Sequence, residues 1–349
     1  MRIAILCLIH FLPFSTTFAQ QDSLKLLLDQ GIALNDKGDY AGAIENYDKI
    51  IRQDNNYYLA YNEKTLSLYS AGKYQESIDL CKTVLKKFRD NEGNDKIYAN
   101  YGSSQDALGN PDEAIKIYKE GIKKYPDSYL LSFNKGISEY NQKKIDEAIT
   151  DFQKSVSLKP DHTSSHQALA YCVYTKNKMA AVLSLMTFLL LEPEGQRAER
   201  NLKLMLQLLG SNVKRTDEKN ITVSLSPAVL DSKNGGEDNF HLAELMISMR
   251  SALDYDDKYK DLPIAQGLED KLEMLIPADA TKKNKGRGFF TNFYIPFLEA
   301  MKTDSLLGTA CHIIYTSSAD MANKKWLEDN KGKVDAFAKW MSLYAWNKE

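Results

Sequence analysis

Residues 95–126 read DKIYANYGSSQDALGNPDEAIKIYKEGIKKYP. Gly109 sits in the middle, where a helix can end in left-handed geometry at no steric cost. Pro111 follows, at the start of a new helix, where its missing N–H costs nothing. Pro126 stops that second helix. The stretch therefore reads as two helices joined by a tight turn.

The same unit recurs along the chain. Numbered from its first helical residue, it starts at Leu24, Tyr58, Asp95, Tyr129 and Thr163. The eighth position is then Gly31, Thr65, Gly102, Gly136 and Ala170, with steps of 34, 37, 34 and 34. The twentieth is Ala43, Ser77, Ala114, Ala148 and Val182. Helices that cross closely need short side chains, so the eighth and twentieth positions are expected to face each other. The twenty-fourth position (Tyr47, Cys81, Tyr118, Phe152, Met186) is mostly large and is expected to reach toward the next hairpin. Gly38, Gly72 and Gly109 mark the turns, and Pro126, Pro160 and Pro193 mark repeat ends. The fifth unit has Asn177 in place of the turn glycine. The three extra residues of the 37-residue step fall near residues 89–94 and are expected to lengthen that connection.

This constellation resembles the tetratricopeptide repeat family over about residues 22–194. The resemblance implies an all-α fold, a right-handed solenoid of about five helical hairpins that holds a partner on its concave surface. It also implies that positions two, five, nine, twelve and thirteen of each first helix face inward. On that basis the candidate partner-binding residues are Asn62, Tyr69, Asn100, Phe133, Asn134, Tyr140, Tyr171 and Tyr174. Tyrosine brings contact area, a hydroxyl and few rotors; asparagine can pair with an extended backbone through both donor and acceptor. Lys25 and Lys96 stand at position two, but the full basic set of a peptide-carboxylate clamp is missing. The competing reading is that several of these tyrosines only cover neighbouring helices.

Working outward, residues 1–19 carry Arg2, an apolar run over 3–14 and Thr17-Phe18-Ala19 before polar Gln20. That is the plan of a cleaved secretory signal, and it predicts a periplasmic or secreted protein with no membrane anchor after cleavage. Cys81, Cys172 and Cys311 then remain, odd in number and each among apolar residues, so buried free thiols are expected. Lys and Arg number 45 against 47 Asp and Glu, a net charge of −2 that argues against a nucleic-acid partner.

The second half is less explicit. Residues 195–215 predict a helix that caps the stack, with Leu202, Met205, Leu206 and Leu209 on one face. A linker is expected over 216–238, containing an alternating stretch near 220–226 that would be a strand with little to pair with. A mostly helical domain follows over 239–349. Leu242, Leu245, Met246, Met249 and Leu253 mark its first helix, and Leu268, Leu272 and Leu275 its second. The aromatic band at 289–298, with Trp326, Trp340 and Trp346, reads most simply as core. A basic loop lies at 282–288, and three more helices are expected within 305–346.

Chemistry is sparse. His162 and His166 are four apart but lack a third ligand, Cys311 and His312 are adjacent and diverge on a helix, and Asp254, Asp256 and Asp257 lack the rest of a calcium loop. No catalytic residue, metal or cofactor is assigned. The expected function is a non-enzymatic exported scaffold binding a protein or peptide in the repeat groove. The alternative is an enzyme whose active site lies in the C-terminal domain and whose repeats recruit its substrate.

Overall fold

A computed structural model describes residues 14–216, 220–225, 237–259, 261–277 and 288–346, with side chains from Gln21 onward. Residues 1–13 of the leader, most of the linker and the basic loop at 282–287 lie outside the described residues. The described chain holds 17 α-helices and one two-stranded sheet. It falls into two units, residues 1–138 and 139–349.

The first unit contains α1 (Phe14–Asp36), α2 (Tyr40–Gln53), α3 (Tyr58–Ser70), α4 (Tyr74–Lys87), α5 (Asn94–Ala107) and α6 (Pro111–Lys124). It also holds most of α7 (Tyr129–Asn141). Each hairpin turns on a left-handed glycine, with φ of 81° at Gly38, 74° at Gly72 and 83° at Gly109. Polar residues or proline open the second helices: Asp39 caps α2 by accepting from Gly42 N at 3.0 Å, and Pro111 is the first residue of α6.

In the first and third hairpins the core is a ring laid over a gap. A β-carbon at Gly31 would come within 2.5 Å of the Tyr47 ring, and one at Gly102 within 2.3 Å of the Tyr118 ring. The ring at the twenty-fourth position lies across position eight of its own hairpin and also meets the next one: Tyr47 packs with Ala60 and Tyr118 with Leu131. Positions 20 and 24 are one turn apart on the same helix face, so both meet the first helix. Position 20 does so too, since Ser77 Oγ donates to Thr65 O at 3.0 Å. In the second hairpin both partners change together: position eight grows to Thr65 and position 24 shrinks to Cys81, and both stay fully buried. Close packing requires such compensation.

Successive hairpins are joined by hydrogen bonds between first helices. Ser67 Oγ donates to Asn35 Oδ1 (2.6 Å), Asn100 Nδ2 to Thr65 Oγ1 (2.8 Å), and Ser138 Oγ to Asp106 Oδ2 (2.6 Å). The 37-residue step divides its extra residues between an elongated connection after α4 and one more residue in α5. Buried Asn94 ties that connection down, donating to Phe88 O (2.6 Å) and accepting from Tyr58 OH (3.2 Å).

The second unit holds the end of α7, α8 (Ile145–Leu158), α9 (Thr163–Val173), α10 (Lys178–Leu191) and α11 (Gly195–Gly210). There follow the strands β1 (Val213–Arg215) and β2 (Ile221–Val223), then α12 (His241–Leu253), α13 (Ile264–Glu273) and α14 (Phe289–Thr303). The unit ends with α15 (Leu307–Ile314), a 3-10 turn (Tyr315–Ser317), α16 (Met321–Asp329) and α17 (Lys331–Leu343). The turn before α8 has no glycine, and Lys143 itself takes the left-handed conformation, with φ of 64°. Asn177 instead caps α10 through a 3.0 Å bond from Ala180 N.

Helix α10 is the centre of this unit. Every residue from Met179 to Leu190 is buried, because α9, α11, α14 and α15 all pack against it. An all-round apolar helix requires all-round cover. Phe290, Phe293, Tyr294, Phe297 and Leu298 of α14 are buried as expected, and the helix runs unbroken through Pro296. Asp238 caps its start, its carboxylate accepting from Phe290 N (3.1 Å) and Thr291 N (2.6 Å). The Trp346 ring stacks on Phe293 at 5.1 Å.

One expectation changes, and one helix that the sequence marked turns an unforeseen side inward. The alternating stretch is not a lone strand: β2 pairs antiparallel with β1, Val213 opposite Val223. The apolar stripe on α12 is not its buried side. The buried residues there are Ile247, Ser248, Arg250 and Ser251, whereas Leu242, Met246, Met249 and Leu253 are exposed.

Candidate functional site

The candidate site is the face of the first helices. In the first unit its clearest part is on α3. Leu59, Asn62, Leu66 and Tyr69 fall within one side of that helix, since their spacings of three, seven and ten residues return to the same face. Leu59 and Leu66 are exposed, and Tyr69 is half-buried with its ring 5.7 Å from Tyr74. Burial raises the Tyr69 hydroxyl above its ordinary pKa, so it stays a neutral donor and acceptor. Asn62 is buried. Its Nδ2 donates to Glu63 Oε1 at 3.0 Å, while its Oδ1 has no hydrogen-bond partner. Leu59 was not singled out from sequence; its signal was an apolar residue at an inward-facing register position.

The other asparagines are already engaged. Asn100 is bonded to Thr65, and Asn134 Nδ2 donates to Ser103 Oγ at 3.4 Å. Ser103 Oγ in turn lies 3.0 Å from Tyr118 OH. These side chains join neighbouring first helices. Phe133 is half-buried on α7.

In the second unit Tyr140 is half-buried near the end of α7, with Lys143 Nζ 6.0 Å above its ring. Tyr171 OH donates to Asn201 Oδ1 at 2.8 Å and accepts from Gln167 Nε2 at 3.4 Å. Tyr174 caps α9 and is exposed. Alongside them stands Arg197 of α11, which the repeat register could not reveal because it comes from the capping helix. Its Nη2 donates to Ser164 Oγ (3.2 Å) and Gln167 Oε1 (3.1 Å), and its Nη1 pairs with Glu192 (3.2 Å). It is a fixed, partly exposed cation at the last repeat.

The histidines and acidic cluster have structural work. His166 is fully buried, between Tyr294 OH and Pro160 O at 2.8 Å each. His312 Nδ1 meets Asn323 Oδ1 at 2.6 Å, and its ring stacks on Trp326 at 3.6 Å. Asp254 is held by Arg250 (2.7 Å) and Lys271 (2.6 Å). Among the described residues no group of three His, Cys, Asp or Glu side chains could hold a metal ion. No described helix is long and apolar enough to cross a membrane.

A run of antiparallel helix pairs, with rings over small residues in the first and third and left-handed turns in the first four, defines a helical-repeat interaction scaffold. The repeats are tetratricopeptide repeats: that family's sequence profile matches residues 28–92 and 102–163. A curated relative, the STIP1 homolog protein of Dictyostelium discoideum, is 28% identical over 158 residues. That alignment covers 36% of this chain and 28% of the relative's length. Among solved structures, a thermophilic TPR protein of Thermus thermophilus is similar at 16% identity and a TM-score of 0.46, over 52% of this chain and 99% of that one. PilF of Pseudomonas aeruginosa is similar at 17% identity and a TM-score of 0.46, over 69% of this chain and 92% of that one. YrrB, described as a TPR protein with an unusual peptide-binding site, is similar at 17% identity and a TM-score of 0.36, over 56% of this chain and 97% of that one. The repeat fold points to a protein-interaction or scaffold role.

Proposed function

We propose that this is an exported, non-enzymatic scaffold whose first-helix face binds an extended segment of a partner protein. The observation that carries this reading is the α3 face. It exposes two leucines beside a half-buried tyrosine, with Asn62 buried beside them. Apolar anchors with one or two fixed polar groups are the usual composition of a recognition surface. At the last repeat, Tyr174 and Arg197 supply an aromatic surface and a cation.

Native capture of partners from the source organism tests the reading. Leu59→Asp with Leu66→Asp is expected to remove proteins recovered by the wild type, with unchanged helicity; equal recovery would refute the proposed face. Export is tested by sequencing the N-terminus of the mature protein, which is expected to begin at Gln20. Cleavage there leaves Leu24 and Leu28, the first buried core residues of α1, in place.

The enzyme reading draws on one cluster. A cavity of about 510 Å³ is lined by Glu269, Glu273, Lys302, His312, Trp326 and Lys333. Burial raises the Glu269 pKa. Against catalysis, Glu273 is paired with Lys302 (3.0 Å), and one His312 nitrogen and one face of its ring are occupied. Turnover of any substrate that is abolished by Glu269→Gln would favour the enzyme.

A further inference from the structure

Helix α12 is inverted relative to a normal surface helix. Its solvent side should be polar. Instead, the residues of α12 that are exposed are Leu242 (70%), Met246 (42%), Met249 (60%) and Leu253 (39%). Its serines and arginine are turned inward and bonded there. Ser248 Oγ is bonded to Asn212 Nδ2 and Glu244 O, Ser251 Oγ donates to Leu209 O, and Arg250 pairs with Asp254 and Asp270. Those bonds fix the rotation of the helix, so the apolar stripe cannot turn inward without breaking them.

The stripe has two properties that select its occupant. Its spacings are four, three and four, the seam of a two-helix knobs-into-holes contact. It is also symmetric about the midpoint between Ile247 and Ser248. Antiparallel overlay of two such helices on a two-fold axis sets Leu242 opposite Leu253 and Met246 opposite Met249, at both ends alike. A surface that is complementary to its own rotated copy is what an isologous dimer requires. We propose that α12 is the homodimer contact of this protein, pairing antiparallel with α12 of a second copy.

The size of the contact sets its strength. The four exposures amount to about two whole side chains per copy. The pair would remove on the order of 800 Å² from water, below the range of permanent interfaces and suited to concentration-dependent association. The thirteen-residue helix gives a seam of about 20 Å. Pairing joins two repeat arrays in one particle, which raises avidity for a partner with repeated segments.

Sedimentation velocity of the full mature chain over a dilution series is the first test. The wild type is expected to pass from monomer to dimer with rising concentration. Met249→Glu is expected to raise the dissociation constant more than tenfold, with unchanged circular dichroism and thermal unfolding. A wild type that is monomeric throughout, or a Met249→Glu variant that associates as well as wild type, overturns the proposal. Cysteine pairing tests the orientation, since Cys81, Cys172 and Cys311 are all buried. A mixture of Met246→Cys and Met249→Cys chains is expected to form an interchain disulfide faster than either alone. Self-linking of each variant at the rate of the mixture would mean a parallel contact and would overturn it.

Discussion

The ring of Tyr118 lies directly over Gly102, so closely that a single added methyl group at residue 102 would sit 2.3 Å from it. Gly102→Ala is therefore expected to cost about 1–3 kcal/mol, the usual range for overpacking a filled core. Equilibrium denaturation measures it. The loss should shrink when Tyr118→Leu is made in the same chain, because residues in contact couple.

His166 makes stability depend on pH. Burial pushes its pKa down to about 4, from 6.5. Above pH 6.5 it is neutral in both the folded and unfolded chain, and its contribution is complete. Between pH 6.5 and about 4 the unfolded chain binds a proton that the folded chain refuses, so stability falls; below about 4 the loss levels off. The total is about 3 kcal/mol. Unfolding free energies measured across this window should fall less steeply in His166→Gln than in the wild type.

Lys143 occupies a left-handed position that glycine fills in the first three hairpins. Strain at such a residue is of order 1 kcal/mol. Lys143→Gly should raise the unfolding midpoint slightly, and Gly109→Lys should lower it, both read by denaturant titration.

The three cysteines of the described chain are buried, and burial pushes the Cys81 thiol up to about 12 and Cys172 to about 11. Since thiolates are the reactive form, a thiol reagent should label none of them at neutral pH in the folded protein. It should label all three once the chain is unfolded.

Tyr171 and Tyr174 separate packing from binding. Tyr171→Phe deprives buried Asn201 Oδ1 of its donor and should cost about 1–3 kcal/mol of stability. Tyr174→Ala removes an exposed side chain and should change stability by no more than about 0.5 kcal/mol. Under the proposed function it should weaken partner capture.

The repeats were legible because their signals are local. Glycine at a left-handed turn, proline past a helix end and small residues at fixed spacing act through backbone sterics, which need no distant neighbour. Periodicity likewise marked α12 as a helix. It could not say which side of α12 is buried, because that depends on the hydrogen bonds of Ser248, Ser251 and Arg250 with partners far along the chain. The same limit applied to Asn100 and Asn134. Their register placed them beside the groove, and only their bonds to Thr65 and Ser103 showed them joining helices.

The linear sequence by itself thus determined the helical hairpins, their count and their turns, since these follow from short-range geometry. The tertiary structure alone decided which polar groups are spent inside the molecule and which apolar ones are left outside. That allocation depends on contacts between residues such as His166 and Tyr294, 128 positions apart, and no local rule encodes it.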